Sequence, residues 1–104
     1  MRVTFFGSAP ERFVAALDSR TLARVLRTID LLERFENRLG MPHSKNIGLR
    51  LFELRIFGRL EIRLLYTFHK GCAVILHGFV KKSRRMPPKE LKIAERCLKM
   101  LDAL

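Results

Sequence analysis

Residues Leu51–Arg85, LFELRIFGRLEIRLLYTFHKGCAVILHGFVKKSRR, decide the fold of this chain. The stretch holds three runs rich in Ile, Val, Leu, Phe and Tyr, which are separated by Gly58-Arg59 and by Lys70-Gly71. Short runs of this composition bounded by glycine predict β-strands, and the short gaps between them are typical of hairpin turns. The stretch therefore predicts a three-stranded meander that ends in a cluster of basic residues.

The first two runs alternate between apolar and polar residues, which assigns their faces. Successive side chains of a strand point to opposite faces, so each of these strands lays an apolar face on a core. The core-face residues are Phe52, Leu54, Ile56, Leu60, Ile62, Leu64, Tyr66 and Phe68. The opposite face receives an acid and an arginine from each strand: Glu53, Arg55, Glu61 and Arg63. The third run, Ala73–Val80, is apolar on both faces except for His77 and predicts a buried strand.

The segments around the meander predict the remaining elements. Arg2–Phe6 predicts a first strand, and two helices follow it, a short one beginning near Pro10 and a long one over Ser19–Leu39. Met41–Arg50 is polar and rich in turn residues, so we expect a connection there, and Lys89–Leu101 predicts a last helix. The expected order is β-α-α-β-β-β-α, an α+β fold in which a helical hairpin packs on a small sheet. The arginines of the helical hairpin are assigned to a solvated face.

The length and composition predict one domain spanning residues 1–104. A chain of 104 residues with 48% hydrophobic residues is long enough for a single modest core. No apolar run approaches the roughly 20 residues that a membrane span needs, and the apolar part of the first residues is too short for a secretory signal. We therefore expect a cytoplasmic protein with no membrane partner. Cys72 and Cys97 lack the spacing of metal ligands and are expected to be reduced thiols.

The charge points to an anionic partner. The chain carries 21 Lys and Arg against 10 Asp and Glu, a formal net charge of +11. Residues 1–40 carry 7 basic and 5 acidic side chains, whereas residues 41–104 carry 14 and 5, so the second part holds nearly all of the excess. A basic face of this kind predicts a nucleic acid or an acidic protein as partner. A charge that only keeps the protein dispersed is the less favoured interpretation.

The familiar catalytic motifs are absent, and the chemistry must come from a basic sheet face. The sequence has no GxSxG, P-loop, HExxH or CxxC motif, and its three histidines are scattered, so we expect no metal site and no cofactor. A cationic face can stabilise the charge that develops on a phosphodiester under attack. RNA supplies its own nucleophile, the 2′-hydroxyl, so an enzyme that cleaves it needs orientation, a proton acceptor and charge neutralisation.

Candidate site residues follow from this face and from the basic cluster after the third strand. The catalytic candidates are Arg63, Arg55, Lys81, Lys82, His77 and Glu53. The RNA-binding candidates are Lys45, Arg50, Arg84 and Arg85. Glu53, Glu61 and His77 are the candidate acid–base groups near the arginines. Two alternatives stay open: both glutamates can instead pair with the arginines across the strands, and for His77 a hydrogen-bonded core histidine is favoured over a catalytic one. Phe57 and Phe79 are placed where they could reach a base, but packing is the favoured role of both.

Several motifs together resemble the RelE/ParE superfamily of toxins, in its phage-derived branch close to HigB. The motifs are ELR at Glu53–Arg55, RxxY at Arg63–Tyr66, LHGFVKK at Leu76–Lys82 and RxPxxE at Arg85–Glu90. The upstream MPHSKNIG, residues 41–48, is similar to the loop that precedes the ELR strand in that branch. The resemblance covers nearly the whole chain.

This resemblance implies a RelE-like fold with two helices on a curved antiparallel sheet, and a toxin of a type II toxin–antitoxin pair. RelE- and HigB-like toxins enter the ribosomal A site and cut mRNA without metal. The resemblance also implies an antitoxin that is a small DNA-binding protein, often helix-turn-helix, through which the pair reaches its operator DNA. Arg63 matches the arginine of the second meander strand in these nucleases, Arg55 a basic position of the preceding strand, and Lys81 or Lys82 the cation at the end of the last strand.

One departure concerns proton transfer. Several nucleases of the superfamily use a tyrosine or histidine near the C-terminus, whereas the only tyrosine here is Tyr66, which is expected to point into the core. His77 or Glu53 would have to serve instead.

Two other functions remain as alternatives to the ribosome-dependent mRNA endoribonuclease. One is a ParE-like, non-enzymatic inhibitor of DNA gyrase, and the other is an inactive RNA-binding domain of the same fold. The four cations of the sheet face favour the nuclease, since gyrase inhibition needs no phosphodiester chemistry. We also expect the antitoxin to cover or distort the face that carries Arg55 and Arg63.

Overall fold

The computed structural model describes all residues from 1 to 104 and contains one five-stranded sheet and three helices. The elements are β1 (Arg2–Phe5), α1 (Ser8–Ala15), α2 (Ser19–Phe35), β2 (Ser44–Gly48), β3 (Leu51–Ile56), β4 (Ile62–His69), β5 (Cys72–Val80) and α3 (Pro88–Asp102). The strand order is β1-β5-β4-β3-β2, in which β1 runs parallel to β5 and every other neighbouring pair is antiparallel. The predicted α+β class with a mainly antiparallel sheet is confirmed.

The meander forms as the sequence predicts. Strands β3 and β4 pair from Phe52 opposite Tyr66 to Ile56 opposite Ile62, so their apolar residues share a face. Strands β4 and β5 are joined by Lys70 and Gly71, whose φ angles of 49° and 77° are both positive. Two successive positive φ angles define the hairpin turn whose twist matches that of the flanking strands, and glycine adopts them without strain.

Each face of the sheet is covered by a different helical layer. The helical hairpin of α1 and α2 packs on the predicted core face, where Val25 and Leu32 of α2 are fully buried against the sheet. Helix α3 covers part of the other face through Ala94 and Leu101. The sheet residues beneath α3 are Leu51, Leu65, Val74, Leu76 and Phe79. The sequence predicts this last helix but not the place where it docks. None of the three helices is both long and apolar enough to cross a membrane.

A β-bulge in β5 shapes the face beneath α3. His77 lies opposite Leu65, but the next pair joins Ile75 to Tyr66, so Leu76 is an extra residue without its own partner on β4. A bulge changes the direction of successive side chains and increases the local twist. As a result Leu76 belongs to the core under α3, and the neighbouring His77 reaches a glutamate of that helix.

The connection predicted over Met41–Arg50 is wrong in its middle, where Ser44–Gly48 forms the edge strand β2. The observed order is therefore β-α-α-β-β-β-β-α. Strand β2 lacks apolar alternation and carries Lys45 and Asn46. An edge strand pairs through its backbone on one side and tolerates polar, charged side chains. The strand is anchored by Ser44, whose buried hydroxyl lies 2.6 Å from the hydroxyl of Tyr66.

The end predicted for the long helix is also wrong. Helix α2 stops at Phe35, because Glu36 adopts a left-handed φ of 56°, and a single 3₁₀ turn over Glu36–Arg38 follows. The beginning of α2 is capped by Asp18, whose carboxylate accepts hydrogen bonds from the Thr21 hydroxyl at 2.6 Å and the Thr21 amide at 3.2 Å. These two hydrogen bonds lower the pKa of the Asp18 carboxyl.

The Ser44–Tyr66 hydrogen bond predicts that removing either hydroxyl lowers the free energy of unfolding, and that the two losses are not additive. Replacing Ser44 with alanine leaves a phenol that is 1% exposed without a partner, so the free energy of unfolding falls by about 1–3 kcal/mol. The double variant Ser44→Ala/Tyr66→Phe removes both polar groups and recovers part of that loss. Urea unfolding of the two single variants and the double variant measures the coupling.

The matched control is Ser83→Ala, whose exposed hydroxyl donates only to the backbone oxygen of Arg85. We expect that variant to unfold as the unmodified protein does. Strictly additive losses at Ser44 and Tyr66 would contradict the assigned hydrogen bond.

Candidate functional site

An open, strongly basic cleft lies where the C-terminal ends of β3 and β5 and the beginning of β4 meet. Its volume is about 420 Å³, and no hydrophobic side chain lines it. The lining residues are Arg55, Glu61, Arg63, Lys81, Lys82, Ser83 and Arg84. Five basic side chains against one acidic side chain give this lining a net charge of +4. We refer to these seven residues as the sheet cleft.

The centre of the sheet cleft is a pair of arginines that are held by one buried carboxylate. Arg55 and Arg63 lie directly opposite each other on β3 and β4, an arrangement in which like charges repel. Glu53 supplies the opposite charge: its carboxylate oxygens lie 3.5 Å from Nε of Arg55 and 3.7 Å from Nε of Arg63. The side chain of Glu53 is 4% exposed, so water screens this attraction little.

Arg63 is the more firmly held of the two arginines. Its guanidinium donates hydrogen bonds to the backbone oxygen of Ile62 at 3.0 Å and to Oε1 of Glu61 at 3.2 Å, and its side chain is 3% exposed. The Nε atoms of Arg55 and Arg63 are buried without a hydrogen-bond acceptor, so Glu53 acts on them through charge. Cations fixed in this way lose little conformational freedom when they stabilise an anion.

The third side of the sheet cleft comes from the chain that leaves β5. The amide of Lys81 donates to the backbone oxygen of Glu61 at 2.7 Å, which ties this segment to the beginning of β4. Lys81, Lys82 and Arg84 have no carboxylate within ion-pair distance, in contrast to Arg55 and Arg63. Their charges are therefore available to an external anion.

The other predicted RNA-binding residues lie outside the sheet cleft. Arg50 pairs with Asp102 at the end of α3, at 2.8 Å. Lys45 is exposed on β2, opposite Glu53 in the strand register. Arg85 is exposed but does not line the cleft. The structure thus groups Arg84 with the catalytic candidates Arg55, Arg63, Lys81 and Lys82, and it separates the remaining three.

The three candidate acid–base groups occupy very different positions. His77 is hydrogen-bonded through Nε2 to Oε1 of Glu90 on α3, at 2.7 Å, and lies outside the sheet cleft. Glu53 is buried beneath the arginines. Glu61 alone lines the cleft, and its side chain is 40% exposed. Glu53 contacts Arg63 across the strands, as the pairing interpretation expects, whereas Glu61 contacts Arg63 only two residues further along its own segment.

Tyr66 is on the opposite face of the sheet, as the sequence predicts. It packs between Phe52 and Phe68, with ring centroids 5.5 and 5.6 Å away. Burial raises the pKa of its phenol, and the Ser44 hydrogen bond opposes that shift. Because the helical hairpin covers this face, the phenol has no access to the sheet cleft.

Phe57 lies beside the site and is more exposed than its favoured packing role predicts. Packing was favoured for Phe57 and Phe79, and Phe79 is indeed buried, but Phe57 is 45% exposed. Its ring centroid lies 5.3 Å from the guanidinium carbon of Arg55 and 5.3 Å from that of Arg63. The only signal in the sequence is its position, immediately after β3 and before the Gly58 turn.

No cluster of three or more His, Cys, Asp or Glu side chains is close enough together to hold a metal ion.

The family model for the phage-derived Gp49-like protein matches residues 12–99. The chain belongs to this Gp49-like family. The match includes every residue of the sheet cleft, Glu53, Phe57 and most of α3. The Gp49-like family is one of RelE-like, toxin-like proteins, which agrees with the broader part of the resemblance. No curated protein matches the chain.

The buried position of Glu53 in this Gp49-like chain predicts that Glu53 contributes more to the free energy of unfolding than Glu61 does, although both contact Arg63. Glu53→Gln leaves two arginines facing each other across a buried site, with Glu61 as the only remaining counter-charge. We expect a loss of about 2–3 kcal/mol in the free energy of unfolding, slightly below that of a buried pair that loses its only partner. Urea unfolding in low salt measures it.

Glu61→Gln is the matched control. It makes the same chemical change at a side chain that is 40% exposed, where an ion pair contributes less than about 1 kcal/mol. Equal losses in the two variants would show that Glu53 is not the group that balances the arginines.

Proposed function

We propose that this Gp49-like protein is the toxin of a type II toxin–antitoxin pair, in the HigB-like branch, and that it cleaves mRNA in the ribosomal A site without a metal ion. The observation that supports this proposal most is the sheet cleft. Its arginines are fixed by Glu53, its other three cations are free of carboxylates, and its opening has no apolar lining. Such a site suits a phosphodiester.

The proposed chemistry uses the nucleophile that RNA carries. The 2′-oxygen attacks the adjacent phosphorus, the bond from phosphorus to the 5′-oxygen breaks, and the products are a 2′,3′-cyclic phosphate and a 5′-hydroxyl. Negative charge builds up on the non-bridging oxygens as the new bond forms. Arg55, Arg63 and Lys81 stabilise that charge more strongly than the charge of the ground state.

Two protons must move in this reaction. One leaves the 2′-hydroxyl, and one arrives on the 5′-oxygen. Glu61 is the proposed acceptor, because it is the only carboxylate in the lining of the cleft and is partly exposed. The ammonium group of Lys81 or Lys82 is the proposed donor. In this proposal Glu53 acts as a positioning residue, and His77 fastens α3 to the sheet.

Dependence on the ribosome follows from what the cleft lacks. It is open and has no apolar walls that would enclose a nucleotide. Orientation of the reacting groups contributes a large share of the catalysis of such reactions. We infer that the ribosome supplies this orientation by holding the mRNA, and that the toxin supplies the charges.

The proposed partner that silences the toxin is a cytoplasmic antitoxin with a helix-turn-helix DNA-binding part. An acidic segment of the antitoxin would neutralise Lys81, Lys82 and Arg84 and would cover or distort the arginine pair. Operator DNA would be reached only through the antitoxin.

Primer extension on an mRNA in a purified translation system tests the nuclease. We expect cuts in frame at the A site that require ribosomes. Arg63→Ala and Lys81→Ala are each expected to reduce cleavage about 10²–10³-fold, since each removes a group that stabilises the transition state. Lys81→Ala is included because Arg63 is buried and its loss can also destabilise the fold.

The matched control is Arg12→Ala, which removes the same charge from an exposed position on α1, outside every cleft named above. It should cleave normally. A folded protein that arrests growth but gives no cuts with ribosomes would contradict the nuclease and favour gyrase inhibition, which a supercoiling assay detects. Cuts that appear equally without ribosomes would contradict only the ribosome dependence.

A further inference from the structure

Phe57 is an exposed aromatic side chain in a surrounding of cations. Among the eight phenylalanines of the chain, only Phe35 and Phe57 are among the exposed large hydrophobic residues, with 41% and 45% of their surface accessible. The guanidinium carbons of Arg55 and Arg63 lie over the ring of Phe57, each 5.3 Å from its centroid. A large apolar ring at the edge of a polar, anion-binding cleft is not explained by packing in the core.

A second basic cleft begins at Phe57 and runs along helix α2. Its volume is about 250 Å³. Its lining contains Phe57, His43 and three arginines, Arg24, Arg27 and Arg55. We call it the helix cleft. Arg55 lines both clefts, so the two basic clefts meet at this side chain, next to Phe57.

The arginines of the helix cleft are free to bind an anion. Arg24 and Arg27 are exposed, and neither has a carboxylate within ion-pair distance. Arg24 also donates to the backbone oxygen of Phe57, at 3.4 Å, which places this arginine beside the turn that presents the ring. The solvated face to which the sequence assigned these helix arginines therefore faces the rim of the candidate site.

Two cationic surfaces separated by one exposed aromatic ring fit a single-stranded nucleic acid. Proteins that bind single strands track the backbone with cations and stack bases on aromatic side chains. A duplex does not fit in the same way, because its bases are stacked on each other and cannot reach the ring.

We propose that Phe57 is a base-stacking residue for single-stranded RNA that crosses from the sheet cleft to the helix cleft. A base stacks on Phe57, the phosphate on one side of it lies among the cations of the sheet cleft, and the next phosphate lies near Arg24 and Arg27. This inference rests on the proposed function for its choice of RNA. It goes beyond it by adding a binding subsite on α2 and a residue that contacts the base.

The absence of tryptophan from the chain makes a direct test possible, since Phe57→Trp introduces the only tryptophan. The probe is a 2′-O-methyl hexaadenylate, which cannot be cleaved, and the comparison is a hexamer with the same phosphates and abasic sugars. We expect the adenylate to quench the tryptophan fluorescence and to bind about tenfold tighter than the abasic hexamer. Phe57→Ala should bind the two hexamers equally.

Matched variants separate stacking from general effects. Phe35→Trp, at a similarly exposed phenylalanine outside both clefts, should show no quenching by the adenylate. Arg27→Ala should weaken binding of both hexamers by a similar factor, since a phosphate contact does not read the base. Arg34→Ala, two turns further along α2, should leave both affinities unchanged.

Three results would overturn the proposal: no binding of the adenylate to the unmodified protein, equal affinities for the adenylate and the abasic hexamer, or equal affinity for a duplex of the same length. None of these bears on the primer-extension result with ribosomes. A protein that cleaves mRNA at the A site but does not discriminate between the hexamers retains the proposed function and loses only the stacking residue. A protein that discriminates between the hexamers but does not cleave mRNA retains the stacking residue and loses the proposed nuclease function.

Discussion

The site depends on one carboxylate, that of Glu53, which lies beneath two arginines that would otherwise repel each other. Arg55 and Arg63 are opposite each other across β3 and β4, and nearly all of the Arg63 side chain is buried. A buried cation without a partner strongly destabilises a fold. The ELR spacing therefore has a physical reason: residues two apart on a strand share a face, so the glutamate and one arginine come from the same strand and the second arginine from its neighbour.

The remaining structure keeps this part of the sheet face open. Helix α3 covers the same face of the sheet but stops short of the arginines. The helix is fastened at one end by the hydrogen bond between Glu90 and His77, and at the other by the ion pair between Asp102 and Arg50. The bulge at Leu76 brings His77 into reach of the helix. His77 and Arg50, which the sequence assigned to the site, thus bind α3 instead. They hold the helix in a position that keeps the cleft open.

The sequence was sufficient for the meander, because its strands combine strong alternation with glycine-bearing turns. Alternation alone placed Glu53, Arg55 and Arg63 on one face, and the structure agrees. The sequence did not predict strand β2, because this edge strand is held by backbone hydrogen bonds and one buried serine, and neither produces an apolar pattern. The end of α2 at Phe35 was not predicted either, because it depends on the positive φ angle of Glu36 rather than on a glycine or proline.

Burial at the site was harder to predict than position. The period of a strand tells which face a side chain occupies, but not whether a helix covers that part of the face. Glu53, Glu61 and His77 are all acid–base candidates from the sequence, yet one is buried beneath cations, one lines the cleft and one binds α3. Phe57 lies just past the last paired residue of β3, where alternation no longer applies. Its exposure depends on the turn and on α2, which are distant in sequence.

The balance of charges also connects the proposed activity with its proposed inhibition. Glu53 beneath the sheet cleft and Glu61 in its lining neutralise the arginines of the sheet, while Lys81, Lys82 and Arg84 repel one another without a counter-charge. Any polyanion that binds there relieves this repulsion, whether it is a phosphodiester backbone or an acidic peptide. Under the proposed function the two ligands would compete for the same three cations. An antitoxin that occupied these cations would need no separate regulatory site, because it would weaken both the affinity for RNA and the charge stabilisation that the proposed reaction uses.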